Sequence, residues 1–193
     1  MNRRIPSFVA AAAAAAALCA VSACSASSPQ TSAAPKLVSI DASWAEYYHS
    51  MSALKAHSDV AVEGTITKAS VEPRASSTDV PYTDFQFTVG STLLDPRHKI
   101  AAATAAKPAV LTIHQTGGTV DDTTFQVDDD PLFKVGQKYV LFLQEYSPGH
   151  YKVAGGPTGR FTVAASGAIA PIVSDGVKFS GGLPALNQAI KTS

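Results

Sequence analysis

Hydrophobic and polar positions change their period several times along the chain, and each change predicts a different element. An alanine-dominated apolar run spans Phe8 to Val21, behind the basic pair Arg3 and Arg4. From Ser25 to Pro35 only Ser, Ala, Pro, Gln and Thr occur. That composition cannot bury enough surface to offset the entropy of ordering, so the stretch reads as a flexible spacer. Asp41 then offers an N-cap oxygen, and Trp44, Tyr47, Tyr48, Met51 and Leu54 follow at helical spacing. This predicts a helix of about four turns carrying an aromatic stripe. The stripe reads as core-facing, with an aromatic ligand platform as the alternative.

After His57 the period falls to two. Val60, Val62, Gly64 and Ile66 alternate with more polar neighbours, and Phe85, Phe87 and Val89 share one face of a second run. Both are half-buried strands, joined by a loop from Pro73 to Pro81. Val110, Leu111 and Ile113 predict a strand ended by Gly117-Gly118, with Thr123 to Val127 as a short edge strand after it. Asp128 to Gly136 reads as a turn with a Leu132-Phe133 plug, and Tyr139 to Leu143, apolar on both sides, as the most buried strand. Short strands then follow around Tyr151-Lys152-Val153, Arg160 to Val163 and Ala168 to Val173, with turns at Ser147-Pro148-Gly149 and Ser166-Gly167. Leu183, Leu186 and Ile190 are in step for a closing helix. Short strands at this spacing indicate a barrel or a sandwich, and Phe85, Phe87, Leu141 and Leu143 are expected in its core.

The start of the chain carries the three parts of an export signal: a basic end, an apolar middle and small residues before a cut. The apolar run falls short of the about 20 residues a membrane-spanning helix needs, which disfavours an uncleaved anchor. Val21-Ser22-Ala23-Cys24 resembles the lipobox of bacterial lipoproteins. The resemblance implies cleavage after residue 23 and a diacylglyceryl thioether on Cys24, whereas ordinary secretion would leave that thiol free. The expected organisation is a signal peptide over 1–23, a tether over 24–36 and one domain over 37–193. That places the protein on the extracytoplasmic face of the cell membrane, held there by lipid. Each buried methylene of the lipid adds about 0.8 kcal/mol, so several acyl chains hold firmly. The only cysteines are Cys19 and Cys24, so the mature domain has none to pair and is stabilised by packing. Losing Arg3 and Arg4 from a chain of 15 basic and 15 acidic residues leaves a slight acidic excess. Such a surface does not attract nucleic acid or anionic headgroups in bulk, and no nucleic-acid partner is expected.

Residues 58–165 carry a longer pattern: Val60-x-Val62-x-Gly64, Tyr82-Thr83-x-Phe85-x-Phe87-x-Val89, His114-Gln115-x-Gly117-Gly118, Asp130-Pro131-x-Phe133, Tyr139-x-Leu141-Phe142-Leu143 and Gly155-Gly156-x-x-Gly159-Arg160-Phe161. It is similar to uncharacterised exported β-domains of bacteria. More distantly it resembles the netrin-like module of tissue inhibitors of metalloproteinases. That resemblance implies a mainly β fold, a small OB-like barrel, closed or open, of about five to seven antiparallel strands with an N-terminal and a short C-terminal flanking helix. Those inhibitors chelate their target's metal through a disulfide-held N-terminal cysteine, which this chain lacks. No inhibitory residue is carried over.

Side chains that announce chemistry are sparse. The five histidines, His49, His57, His98, His114 and His150, form no His-x-x-x-His pair and read as surface residues. No Gly-x-Ser-x-Gly elbow marks a nucleophile, so a hydrolase would need a dispersed site. Asp121, Asp122 and Asp128 to Asp130 lack the spacing of a calcium loop and read as a solvated acidic turn. Gly155 to Arg160 lacks the lysine of a phosphate loop and reads as a tight connection. No metal, cofactor or catalytic residue is assigned. The reading is a lipid-anchored binding or interaction module for an unknown protein or small molecule, with a cell-envelope hydrolase as the alternative. The favoured account of Gly117-Gly118 and Gly155-Gly156 is that they allow tight bends in a curved sheet; if they instead leave backbone open to a ligand, Gln115 and Arg160 beside them are the expected ligand-binding donors. On that view, replacing both with Ala leaves the melting transition nearly unchanged.

Overall fold

A computed structural model describes residues 36–72, 74, 76–100 and 107–193. The expected signal peptide, Cys24 and the spacer up to residue 35 lie outside the described residues. The fold is mainly β. Its strands are β1 (Lys36–Ile40), β2 (Val60–Val71), β3 (Tyr82–Leu94), β4 (Val110–Val120), β5 (Thr123–Val127), β6 (Lys138–Ser147), β7 (His150–Val153), β8 (Arg160–Val163), β9 (Ala168–Pro171) and β10 (Gly181–Gly182). Two helices, α1 (Met51–Ala56) and α2 (Leu183–Thr192), accompany them. Ten strands among the described residues exceed the five to seven expected; the pattern marks eight of them and gives no sign of β1 or β10. β1 starts at Lys36, inside the stretch read as tether.

The sheet is mixed, which corrects the all-antiparallel expectation. β1 runs parallel to β5, and β7 parallel to β4. β5 is therefore flanked by β4 and β1 and is not an edge. β2 pairs with β3, β3 with β4, β4 with β7, β7 with β6, and β6 with β2. These five pairings form a closed circuit. The first half of β6 also pairs with β8, and β9 and β10 extend that flank.

β6 faces two cores, which explains a strand apolar on both sides. Tyr139, Leu141 and Leu143 join Val62, Ile66, Phe85, Phe87 and Ile113 in one cluster. Val140 and Phe142 point the other way, to Leu54, Phe161, Ile169, Leu186 and Ile190. Phe85, Phe87, Leu141 and Leu143 are all buried, as the alternation predicts.

The expected four-turn aromatic helix does not form. α1 begins at Met51, where the Ser50 hydroxyl accepts a hydrogen bond from the Ala53 amide. Residues 41–49 make an irregular strap instead. Their polar atoms bond to distant parts of the chain: the Trp44 indole to Asp129, the Tyr47 hydroxyl to Asp175, the Tyr48 amide to Thr158. Helical spacing matches the apolar bodies of these side chains, but the Trp44 and Tyr47 tips and the Tyr48 backbone amide have long-range partners that a helix would not reach.

Candidate functional site

A cleft of about 290 Å³ opens between the strap and the ends of β4, β6 and β7. Trp44 and Glu46 form the strap side; His114 and Thr116 of β4 and Gln144 and Lys152 of the β6–β7 hairpin stand opposite. Trp44 is held by both Asp129 carboxylate oxygens, at 2.9 and 3.1 Å from its indole nitrogen. Glu46 accepts from the Gln144 amide at 3.1 Å and from the Tyr48 hydroxyl at 3.0 Å. The bond from Gln144, then that from Tyr48, holds the Glu46 carboxyl below its ordinary value. A second, more open depression of about 460 Å³ adjoins it and shares Gln144 and Lys152.

At the β4 wall the His114 ring is oriented by Asp84 of β3, with Nδ1 2.7 Å from a carboxylate oxygen. A carboxylate only accepts, so Nδ1 carries the proton and donates it to Asp84. Asp84 stands directly opposite His114 in the β3–β4 register, which sets the pair. Tyr82 stacks on His114 at 4.8 Å between ring centroids, Tyr146 lies 5.9 Å beyond His114, and His150 is 6.1 Å from Tyr146. These four rings from β3, β4, β6 and β7 make a track beside the cleft. Tyr82 and Tyr146 are 44% and 51% exposed. His114 is only partly exposed, so it is not the free surface histidine expected.

Gln115 and Arg160 are found at 5% and 3% exposure, not as open donors. The Gln115 amide donates to the carbonyls of Asp130 and Pro131 and accepts from the Phe133 amide. Gln115 still borders the cleft, but its carboxamide is occupied in fastening the turn after β5. Arg160 pairs with Asp130 at 3.0 Å, and its guanidinium lies over the Phe133 and Tyr139 rings at 4.1 and 5.2 Å. Its Nε is buried without a hydrogen-bond partner. Burial pushes the Asp130 carboxyl up against the pull of Arg160, and the guanidinium down against the pull of Asp130. The expectation that both residues can be removed without thermal cost is therefore corrected: they hold one buried turn. The acidic turn is only partly solvated, because Asp130 is buried and Asp129 holds Trp44.

The glycine pairs do admit close approach, by the chain's own side chains. A Cβ on Gly156 would sit 2.3 Å from the Trp44 ring, and one on Gly155 2.5 Å from Tyr48. Gly156 also has φ +56, where a side chain is strained. A Cβ on Gly118 would likewise meet the Thr83 hydroxyl, whereas one on Gly117 would meet the backbone carbonyl oxygen of Phe125. Gly156–Gly159 winds into a single 3-10 turn, the tight connection expected.

Trp44 belongs to the stripe whose alternative reading is an aromatic ligand platform, whereas the cleft-lining Glu46, Gln144 and Lys152 escaped sequence reasoning, since they come together only through the strap. The ring track left one legible sign: Tyr82 has the parity of Asp84 and Gln86, the polar face of its strand. An aromatic ring at an outward position marks a surface more than a core. Among the described residues, no group of three or more His, Cys, Asp or Glu side chains could hold a metal ion. No protein-family model matches the chain, and a search among curated proteins returns no match.

Proposed function

We propose that this protein is a binding module held by lipid on Cys24 at the extracytoplasmic face of the bacterial cell membrane. The observation that carries the binding role is the cleft, in which a pinned indole, a carboxylate-oriented imidazole and the Glu46–Gln144 pair line one concavity. Recognition sites are built this way, from apolar surface with a few fixed polar groups. The scaffold is read as an OB-like barrel. In the closed circuit β6 returns to lie beside β2, giving the order β6-β2-β3-β4. That is a Greek-key step, and a five-stranded Greek-key barrel is the OB plan.

Ala45 is exposed and lines the cleft. Replacing it with Phe is expected to fill the cleft and abolish retention of envelope material by the immobilised protein, with the melting transition unchanged. Equal retention by both proteins would show that the cleft is not the binding site. For the anchor, Cys24→Ala is expected to move the protein from the membrane fraction to the soluble fraction, and unchanged membrane retention would remove the lipid from the proposal.

One observation favours the second reading, a cell-envelope hydrolase. Asp84 and His114 have the relation of an orienting carboxylate to a general base. Hydrolysis of a nitrophenyl ester that disappears in His114→Gln would favour it.

A further inference from the structure

We infer that the cleft and the ring track beside it bind a neutral glycan chain, one sugar unit in the cleft and further units across the exposed rings. The inference rests on the binding-module reading and names its ligand. The cleft, at about 290 Å³, lies at the bottom of the range of about 300–1,000 Å³ for small-molecule sites. It accommodates one ring-sized group. The track of Tyr82, His114 and Tyr146 starts at its wall, so a longer ligand continues over the surface. Tyr82 and His114 stack on each other at 4.8 Å, so the surface left for a ligand is the exposed part of Tyr82 and Tyr146, 44% and 51%. The apolar C–H faces of a pyranose pack against such rings, and its hydroxyls donate to Glu46 and to the Gln144 amide oxygen, since both Gln144 N–H groups are already given to Glu46 and the His57 carbonyl.

Charge selects among polymers. Carboxylates stand on every side: Glu46 and Asp130 at the cleft, Asp84 beneath the track, Asp59 and Glu145 at the adjoining depression. With Lys152 lining both depressions and cations on three of these carboxylates, no net charge is left to attract a phosphate backbone or an acidic polysaccharide. Most already have protein partners: Asp130 has Arg160, Glu145 has Lys99 at 2.6 Å, and Asp59 has Arg97 at 3.0 Å. A cationic ligand would have to compete with these. An extended peptide gains most of its affinity from an open strand edge. Here β4 is paired by β3 along one side and by β7 at Thr112 and Ile113 on the other, so the edge left at the cleft is only His114 to Thr116, too short for an added strand of several residues. A neutral, hydroxyl-rich chain with apolar ring faces fits what remains.

Trp44 is the chain's one tryptophan and lines the cleft, so its fluorescence reports on this site alone. The full chain, kept in solution with a sugar-free detergent, is titrated with cellohexaose, maltohexaose and N-acetylchitohexaose, and separately with polygalacturonate and a proline decapeptide. At least one neutral hexasaccharide is expected to change Trp44 emission saturably, more tightly than its disaccharide. Tyr82→Ala and Tyr146→Ala, both at exposed positions, are together expected to weaken that binding about tenfold or more, with an unchanged melting transition. If no neutral sugar acts at millimolar concentration but the polyanion or the peptide does, the glycan assignment is overturned and the binding module survives. If no probe changes the emission, the assignment and the cleft both fall. Binding that ignores the two tyrosines confines the site to the cleft and overturns the track.

Discussion

Arg160→Ala is expected to lower stability by about 3–5 kcal/mol, because it leaves the Asp130 carboxylate buried without its counter-ion. The same change strips the cation from the Phe133 and Tyr139 rings, against which it packs at 4.1 and 5.2 Å. For a domain of this size the loss corresponds to a fall in Tm of about 6–20 °C. The paired replacement Arg160→Met with Asp130→Leu removes both charges together and is expected to recover most of the loss, since apolar substitutes for a buried pair are often neutral. Denaturant unfolding of the two variants decides the matter. A loss below about 1 kcal/mol for Arg160→Ala would mean that water reaches Asp130 and the pair contributes little. Gln115 shares the same turn, so its truncation is not additive with that of Arg160.

The second large effect belongs to β6. Leu141→Ala is expected to cost about 2–5 kcal/mol and Phe142→Ala about 3–5 kcal/mol, although the two are neighbours in sequence. Each is fully buried, Leu141 inside the β2–β3–β4–β7–β6 circuit and Phe142 against α1, α2 and β8. Both losses come from methylene and ring contacts left facing a cavity that the surrounding strands only partly close. Equilibrium unfolding in urea measures them. A loss below about 0.5 kcal/mol at either position would mean that the strand has one buried face rather than two.

The glycine-rich segments show why a sound physical argument from sequence can select the wrong molecule. Close approach to Gly155 and Gly156 is real, but the approaching groups are Tyr48 and Trp44 of the same chain. Sequence shows that a backbone can be approached and carries no record of which side chain, more than a hundred positions away, does so. The same limit affected Gln115 and Arg160. Both are polar residues at strand positions, and only the burial of Asp130 and the path of Pro131 to Phe133 turn them from donors to a ligand into donors to the fold.

Local periodicity by itself determined the strands β2 to β9 among the described residues, that Phe85, Phe87, Leu141 and Leu143 are core, and that Leu186 and Ile190 close the domain from a helix, because side-chain period is a local property of the backbone. Tertiary structure decided what local parity does not encode: the parallel pairings β1–β5 and β4–β7, and the circuit that joins β6 to β2. It also decided the conformation of the strap. Trp44, Tyr47 and Tyr48 have spacing that suits a helix, yet the partners of their polar atoms, Asp129, Asp175 and Thr158, lie 85, 128 and 110 residues further on. Satisfying those polar atoms, the Tyr48 amide buried and the Trp44 indole part-buried, outweighed a local helical preference of a few tenths of a kcal/mol per residue, and the cleft exists because it did.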